Sequence, residues 1–280
     1  KIDTEPLLAE MLAYAKRYQI LLDGDSGSTA LDACIDRLNR LETTVTRPYF
    51  LEVLRLYNES KLTLTQVTEI FLTTESYLFR RTMCDLPTNA LNKIFLMLHR
   101  EIVRYDDTED NYVEKFKYAL LSKKERARFP DDVEFKVAFE ERPVYLMNSK
   151  NKIYILERFE NFGTSEDKDV YRHCDDGTYS IEHIMPQHLT PVWQKELGDD
   201  YEQIHEEWLH RMANLTLTAY NSKYSNSSFT EKKTMQNGFD DSGIRMNTWI
   251  AKKNKWTLAE LEERYMQKMG YGNQPYITYK

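Results

Sequence analysis

Residues 179–193 read YSIEHIMPQHLTPVW. The stretch TYSIEHIM alternates and is rich in β-branched and aromatic residues, which predicts a strand, and Pro186, lacking an N–H, stops it. Such a strand ends on Glu182 and His183, two side chains able to do chemistry. Further on, Tyr201, Ile204, Trp208, Leu209 and Met212 recur on one helical face, predicting an amphipathic helix over 199–212. NLTLT at 214–218 predicts a second short strand, and NSKYSNSSFTEKKTMQ is polar and rich in cap residues, leading into a helix. The order is strand, long insert, strand, helix, with Trp193 and Trp208 as expected core anchors of the insert.

Upstream the texture is helical. Residues 1 to about 122 carry apolar side chains at three- and four-residue spacings, as in the stripe Leu31, Ile35, Leu38 and Leu41. Pro48 suits a first helical turn, and Thr65 and Thr88 are the expected N-caps of QVTEIFLTTESYLFRR and NALNKIFLMLHREIVRY. DDTEDNY at 106–112 reads as a loop, FPDDVEF at 129–135 opens another helix, and KNKIYILERFENFG forms one ending at Gly163. TSEDKDVYRHCDDG then reads as a polar loop. These signals predict a helical domain over 1–148 and a second domain over 149–280 with its core at about 178–240.

With 280 residues, two ordinary domains fit. No apolar run approaches the roughly 20 residues that cross a bilayer. Cys34, Cys84 and Cys174 are odd in number and widely spaced, so the sequence suggests neither a disulfide framework nor a zinc site and fits a reducing cytoplasm. The chain opens on Lys1 rather than methionine, as expected of a piece of something longer. The net charge of -7 argues against a general nucleic-acid coat protein. Residues 221–256 differ: Lys223, Lys232, Lys233, Arg245, Lys252, Lys253 and Lys255 face only Glu231, Asp240 and Asp241.

IEHIMPQ, the following Trp193, and ANLTLTAYNSKYSNSSF with the later EKK together resemble the C-terminal nuclease domain of GmrSD-like modification-dependent restriction enzymes, a branch of the HNH (His-Me finger) endonucleases. ESYLFRRTMCDLPTNALNKIF resembles the helical region leading into that domain, so the resemblance covers about residues 50–265. It implies a mainly α chain with a small α+β part: a helical N-terminal domain followed by a ββα-metal (HNH, His-Me finger) nuclease domain. The implied activity is metal-dependent hydrolysis of DNA in restriction of foreign or modified DNA, in the cytoplasm of a bacterium or archaeon. A nucleotide-using N-terminal domain is the implied protein partner.

Carried onto this sequence, the resemblance makes His183 the general base and Asn214 the brace of the catalytic loop. Glu182 and Asn221 become the ligands of Mg2+ or Mn2+, with Asn226 as the alternative ligand. Imidazole titrates near working pH, and a hydrated magnesium ion needs few protein oxygens, so these residue types suit the chemistry. Neighbouring strand residues point to opposite faces, so Glu182 and His183 share one site only if the strand is already turning. His188, Lys223, Lys232 and Lys233 are candidates for touching nucleic acid; a loop histidine and a solvated lysine face are the plainer readings. His205 and His210 are expected at the surface, and Arg80 and Arg81 carry no expected chemistry. The alternative function is a helical docking or DNA-binding module whose nuclease core is silent. Cleavage of RNA would use the same groups.

Overall fold

The computed structural model describes residues 4–41, 44–164 and 166–265. In chain order the first helices are α1 (Thr4–Asp23), α2 (Thr29–Arg40), α3 (Arg47–Asn58), α4 (Leu64–Met83), α5 (Leu91–Val103) and α6 (Tyr112–Leu121). Then come α7 (Asp132–Glu141), α8 (Ser149–Asn161), α9 (Val170–Asp175), β1 (Ser180–His183), α10 (Pro191–Leu197) and α11 (Tyr201–Trp208). The chain continues with β2 (Leu215–Thr218), α12 (Asn221–Tyr224), α13 (Phe229–Thr234), α14 (Arg245–Ile250) and α15 (Leu258–Arg264). The protein is mainly helical, with one antiparallel two-stranded sheet among the described residues.

Two compact units divide the chain, Lys1–Phe135 and Lys136–Lys280. The division falls inside α7, earlier than the expected 148/149. Phe135 packs edge-on against Phe79 in the first unit, and Phe139, one turn later, packs against Phe159 in the second.

In the first unit, α4 is the central element. Val67, Ile70, Phe71, Tyr77, Leu78 and Phe79 are all buried on it. The Phe71 ring stacks on Phe50 with centroids 3.9 Å apart, and Tyr49 stacks on Phe116. The predicted stripe of Leu31, Ile35, Leu38 and Leu41 is buried as well. Each such side chain contributes about 1.5–3 kcal/mol of burial. Arg37 of α2 holds Glu75 of α4 through two hydrogen bonds of 2.7 and 3.0 Å. Arg80 pairs with Asp132, and Arg81 donates to the carbonyls of Arg126, Arg128 and Pro87, so both arginines tie down the 126–132 segment.

Three local expectations shift. The cap of α4 is Thr63, because Gln66 three residues later completes a reciprocal capping box that Thr65 cannot form. Thr88 sits in a turn ahead of α5, closed by Leu91 N–H on Thr88 O, and the helix begins at Leu91. The stretch read as a loop at 164–177 contains α9, capped by Asp169, whose carboxylate accepts the Arg172 N–H.

In the second unit, β1 and β2 pair in the register Ser180↔Thr218, Ile181↔Leu217, Glu182↔Thr216 and His183↔Leu215. Both predicted strands are therefore present, each four residues long. The helix expected over 199–212 stops at Trp208. The Asn214 amide takes the Leu209 carbonyl, and the chain turns into the 3-10 segment Met212–Asn214 that feeds β2. Trp193 and Trp208 are buried as core anchors of the insert.

Candidate functional site

The strand β1 ends at His183 because its next backbone groups are claimed elsewhere. Ile184 N–H donates to Asn214 O at 3.0 Å, and Met185 N–H to Asn214 Oδ1 at 2.8 Å. Pro186 has no N–H to offer. Asn214 is fully buried, and its carboxamide uses its bonding capacity in full: Oδ1 also accepts from Trp256 Nε1, while Nδ2 donates to Met185 O and Leu209 O. It braces the loop after β1 and has no group left for reaction.

The two-residue period of the strand separates the acid from the imidazole. Glu182 turns into the interior, where Lys232 of α13 meets its Oε1 at 2.5 Å. The same ammonium donates to His183 O at 2.9 Å and Ile184 O at 3.2 Å, so all three of its protons are used. Burial pushes the Glu182 carboxyl up to about 7 and the Lys232 ammonium below its ordinary value, against the mutual attraction of the pair. Lys232 is brought there by the capping box of α13, in which Ser228 and Glu231 satisfy each other's backbone N–H groups. Lys232 is fully buried and touches no solvent, so its expected role against nucleic acid is corrected: it clamps β1 from within.

His183 points the other way, into a cluster of rings. Its Nε2 lies 3.2 Å from His210 Nδ1. Tyr145, from the 3-10 segment Val144–Leu146, packs edge-on against His183 at 4.3 Å and parallel to His210 at 5.4 Å. Tyr145 N–H donates to His210 O, and the Lys152 ammonium of α8 sits over the Tyr145 ring. His205 Nε2–H donates to Pro186 O at 2.9 Å. Burial first, then the neighbouring His210 and nearby cations, lowers the pKa of His183 to about 3; the His210 pKa is lowered too, chiefly by burial. His183 is therefore a neutral imidazole at working pH, with 5% of its surface exposed.

The remaining candidates scatter. Asn221 is exposed at the start of α12 and its Nδ2 donates to Ile181 O at 3.3 Å, which sets it beside β1. Asn226 is half-buried in the loop before α13. His188 and Lys223 are exposed, with the Lys223 ammonium over the Tyr220 ring. Lys233 is half-buried and donates to Lys253 O. Among the described residues no three His, Cys, Asp or Glu side chains converge as they would to hold a metal ion. Glu182, engaged by Lys232 and facing away from His183, does not fit the role of a ligand shared with that imidazole.

His205 and His210 are not the surface residues that their spacing suggests; both are half-buried around the His183 loop. On an unbroken helix, residues five apart diverge by about 140°. The early end of α11 removes that constraint for His210. Tyr145 and Lys152 carry no local signal, because only the fold brings Tyr145 to His183 and His210, which lie 38 and 65 residues further along the sequence. Ser228 and Glu231 do carry one, the S-x-x-E spacing ahead of Lys232. No curated protein matches the chain. Residues 129–267, which hold β1, β2 and every side chain of this cluster, match the family model for the C-terminal domain of GmrSD restriction endonucleases.

Proposed function

We propose that the second unit is an endonuclease that hydrolyses DNA phosphodiesters with His183 as general base, in restriction of foreign or modified DNA. The observation that carries the reading is the place of His183, at the end of the first strand of a hairpin followed by helices, inside the segment matched by a restriction-endonuclease family. A neutral imidazole can remove a proton from water as the oxygen attacks phosphorus, leaving the proton on the ring. Lys232 holds the His183 and Ile184 carbonyls and Asn214 holds the Ile184 and Met185 N–H groups, so the two fix the backbone from His183 onward and with it the ring's position. The strand–strand–helix order β1, β2, α12, α13 supports the HNH, ββα reading.

A divalent ion, Mg2+ or Mn2+, belongs to this proposal through the resemblance, where it would offset charge on the phosphate. Glu182 does not fit as its ligand, so the steps assigned to the protein are confined to the proton and to positioning. The implied partners are duplex DNA and a nucleotide-using domain, in a cytoplasmic setting; no helix among the described residues is long and apolar enough to cross a membrane.

One observation favours a silent docking module instead: the base is 5% exposed and one of its two nitrogens is occupied by His210. Nicking of supercoiled plasmid with Mg2+ or Mn2+, with and without EDTA, separates the readings. We expect cleavage by the wild type and a loss of about 100-fold or more in His183→Ala. Equal nicking by the variant would defeat the mechanism, and no nicking by either would favour the docking module.

A further inference from the structure

We propose that His210 is the positioning residue of His183: its Nδ1 accepts the Nε2 proton of the neutral His183 ring, which leaves Nδ1 of His183 as the bare nitrogen that takes the proton from water. The inference rests on the reading of His183 as the base and adds to it which nitrogen works and what selects it.

The contact of 3.2 Å between His183 Nε2 and His210 Nδ1 needs one proton between two nitrogens. Two arrangements satisfy it. In the first, His183 carries its proton on Nε2 and donates it, and His210 likewise carries its own on Nε2. In the second, both rings carry the proton on Nδ1 and His210 is the donor. The second arrangement leaves His183 without a free lone pair, since Nδ1 holds a proton and Nε2 is accepting. Neutral imidazole side chains prefer the Nε2 proton, so the first arrangement is favoured on both rings at once, and the hydrogen bond each nitrogen makes decides the form of the other.

His210 is built to hold this post. Its carbonyl accepts the Tyr145 N–H at 3.1 Å, and its ring lies at 10° to the Tyr145 ring. Tyr145 in turn packs edge-on against His183, so a single side chain aligns both imidazoles. The Lys152 ammonium, 4.7 Å from the Tyr145 centroid, steadies that ring by a cation–π contact. His205, the other histidine of the cluster, is committed to Pro186 O and leaves the His183 nitrogens to His210.

The test compares His210→Asn with His210→Phe in the full chain. An asparagine carbonyl oxygen occupies much the same place as a histidine Nδ1 and keeps the acceptor; phenylalanine keeps the ring's bulk and removes it. Nitrogen-15 NMR of the imidazoles reads the tautomer of His183 directly and needs no cleavage. The wild type and His210→Asn should show the proton on Nε2, whereas His210→Phe should lose that bias. In cleavage of duplex plasmid, His210→Phe should lower kcat roughly 10- to 100-fold with KM unchanged, and His210→Asn should recover most of it. A proton on Nδ1 of His183 in the wild type overturns the proposal, as does His210→Phe with an unchanged tautomer. A wild type that shows the Nε2 proton and cuts nothing would sink the nuclease reading while the assignment of His210 stands. Should His210→Phe fail to fold, the wild-type tautomer alone still decides.

Discussion

His183 is a histidine that the fold keeps uncharged. Unfolded, it takes up a proton near its ordinary value of 6.5; folded, burial and the facing His210 delay that to about 3. Acid therefore favours the unfolded chain: the contribution is fully present above about 6.5 and is lost as pH falls from there toward 3. Urea melts between pH 7 and pH 4 should show the wild type losing stability more steeply than His183→Gln, which has nothing to titrate. Parallel curves would mean that the imidazole is solvated and free to protonate. The residue types at this position are legible from EHIMP alone, because strand periodicity and a proline stop are local signals that need no tertiary knowledge. At Pro186 the missing N–H ends the pairing whatever surrounds it. The partners of His183 are not legible, since His210 and Tyr145 reach it through a helix that ends four residues early and a 3-10 segment nearly forty residues upstream.

The hairpin and α13 form one mechanical element, joined by the buried pair Glu182–Lys232. Taking one partner away strands a charge in the interior and leaves the His183 and Ile184 carbonyls without their donor, which costs about 3–5 kcal/mol. Lys232→Met should lower the urea midpoint accordingly. The double variant Glu182→Met, Lys232→Met removes both charges and should recover a large part of that loss, because a pair of well-packed apolar side chains in place of a buried ion pair is often neutral. Additive losses in the double variant would show that the pair does not act as a unit. This clamp explains why the acid of EHIMP faces away from the histidine: β1 stays extended through His183 instead of turning early, and alternation sends the two side chains to opposite faces. A strand and its cap spacing can be read from sequence, whereas the partner of a buried carboxylate fifty residues away cannot. The four-residue lengths of β1 and β2 reflect the same limit, set by Asn214 at one end of the hairpin and by the turn into α12 at the other.

Over the whole molecule the net charge is -7, so binding of a polyanion depends on where free cations remain. The basic window 221–256 holds seven of them by sequence, and the fold consumes most. Lys232 is buried against Glu182, Lys233 donates to Lys253 O, Lys253 pairs with Glu263, and Arg245 donates to Glu160 O and Glu166 O. Lys223, Lys252 and Lys255 are left exposed, and no salt bridge among the described residues holds them. Counting lysines and arginines along the sequence thus overstates the usable charge, because a side chain spent on an internal carbonyl or carboxylate displaces no counterion. Each phosphate neutralised on duplex DNA contributes roughly -0.9 to the slope of log K against log salt. If this window supplies the contacts, three lysines give a slope of about -3, not the roughly -6 expected of all seven cations. Fluorescence anisotropy with a duplex oligonucleotide and uncleaving His183→Ala protein measures it. The triple variant Lys223→Gln, Lys252→Gln, Lys255→Gln should flatten the slope to near zero, while Lys233→Gln should leave it unchanged. A steep slope that survives the triple variant would move the DNA contacts out of this window and onto another face of the protein.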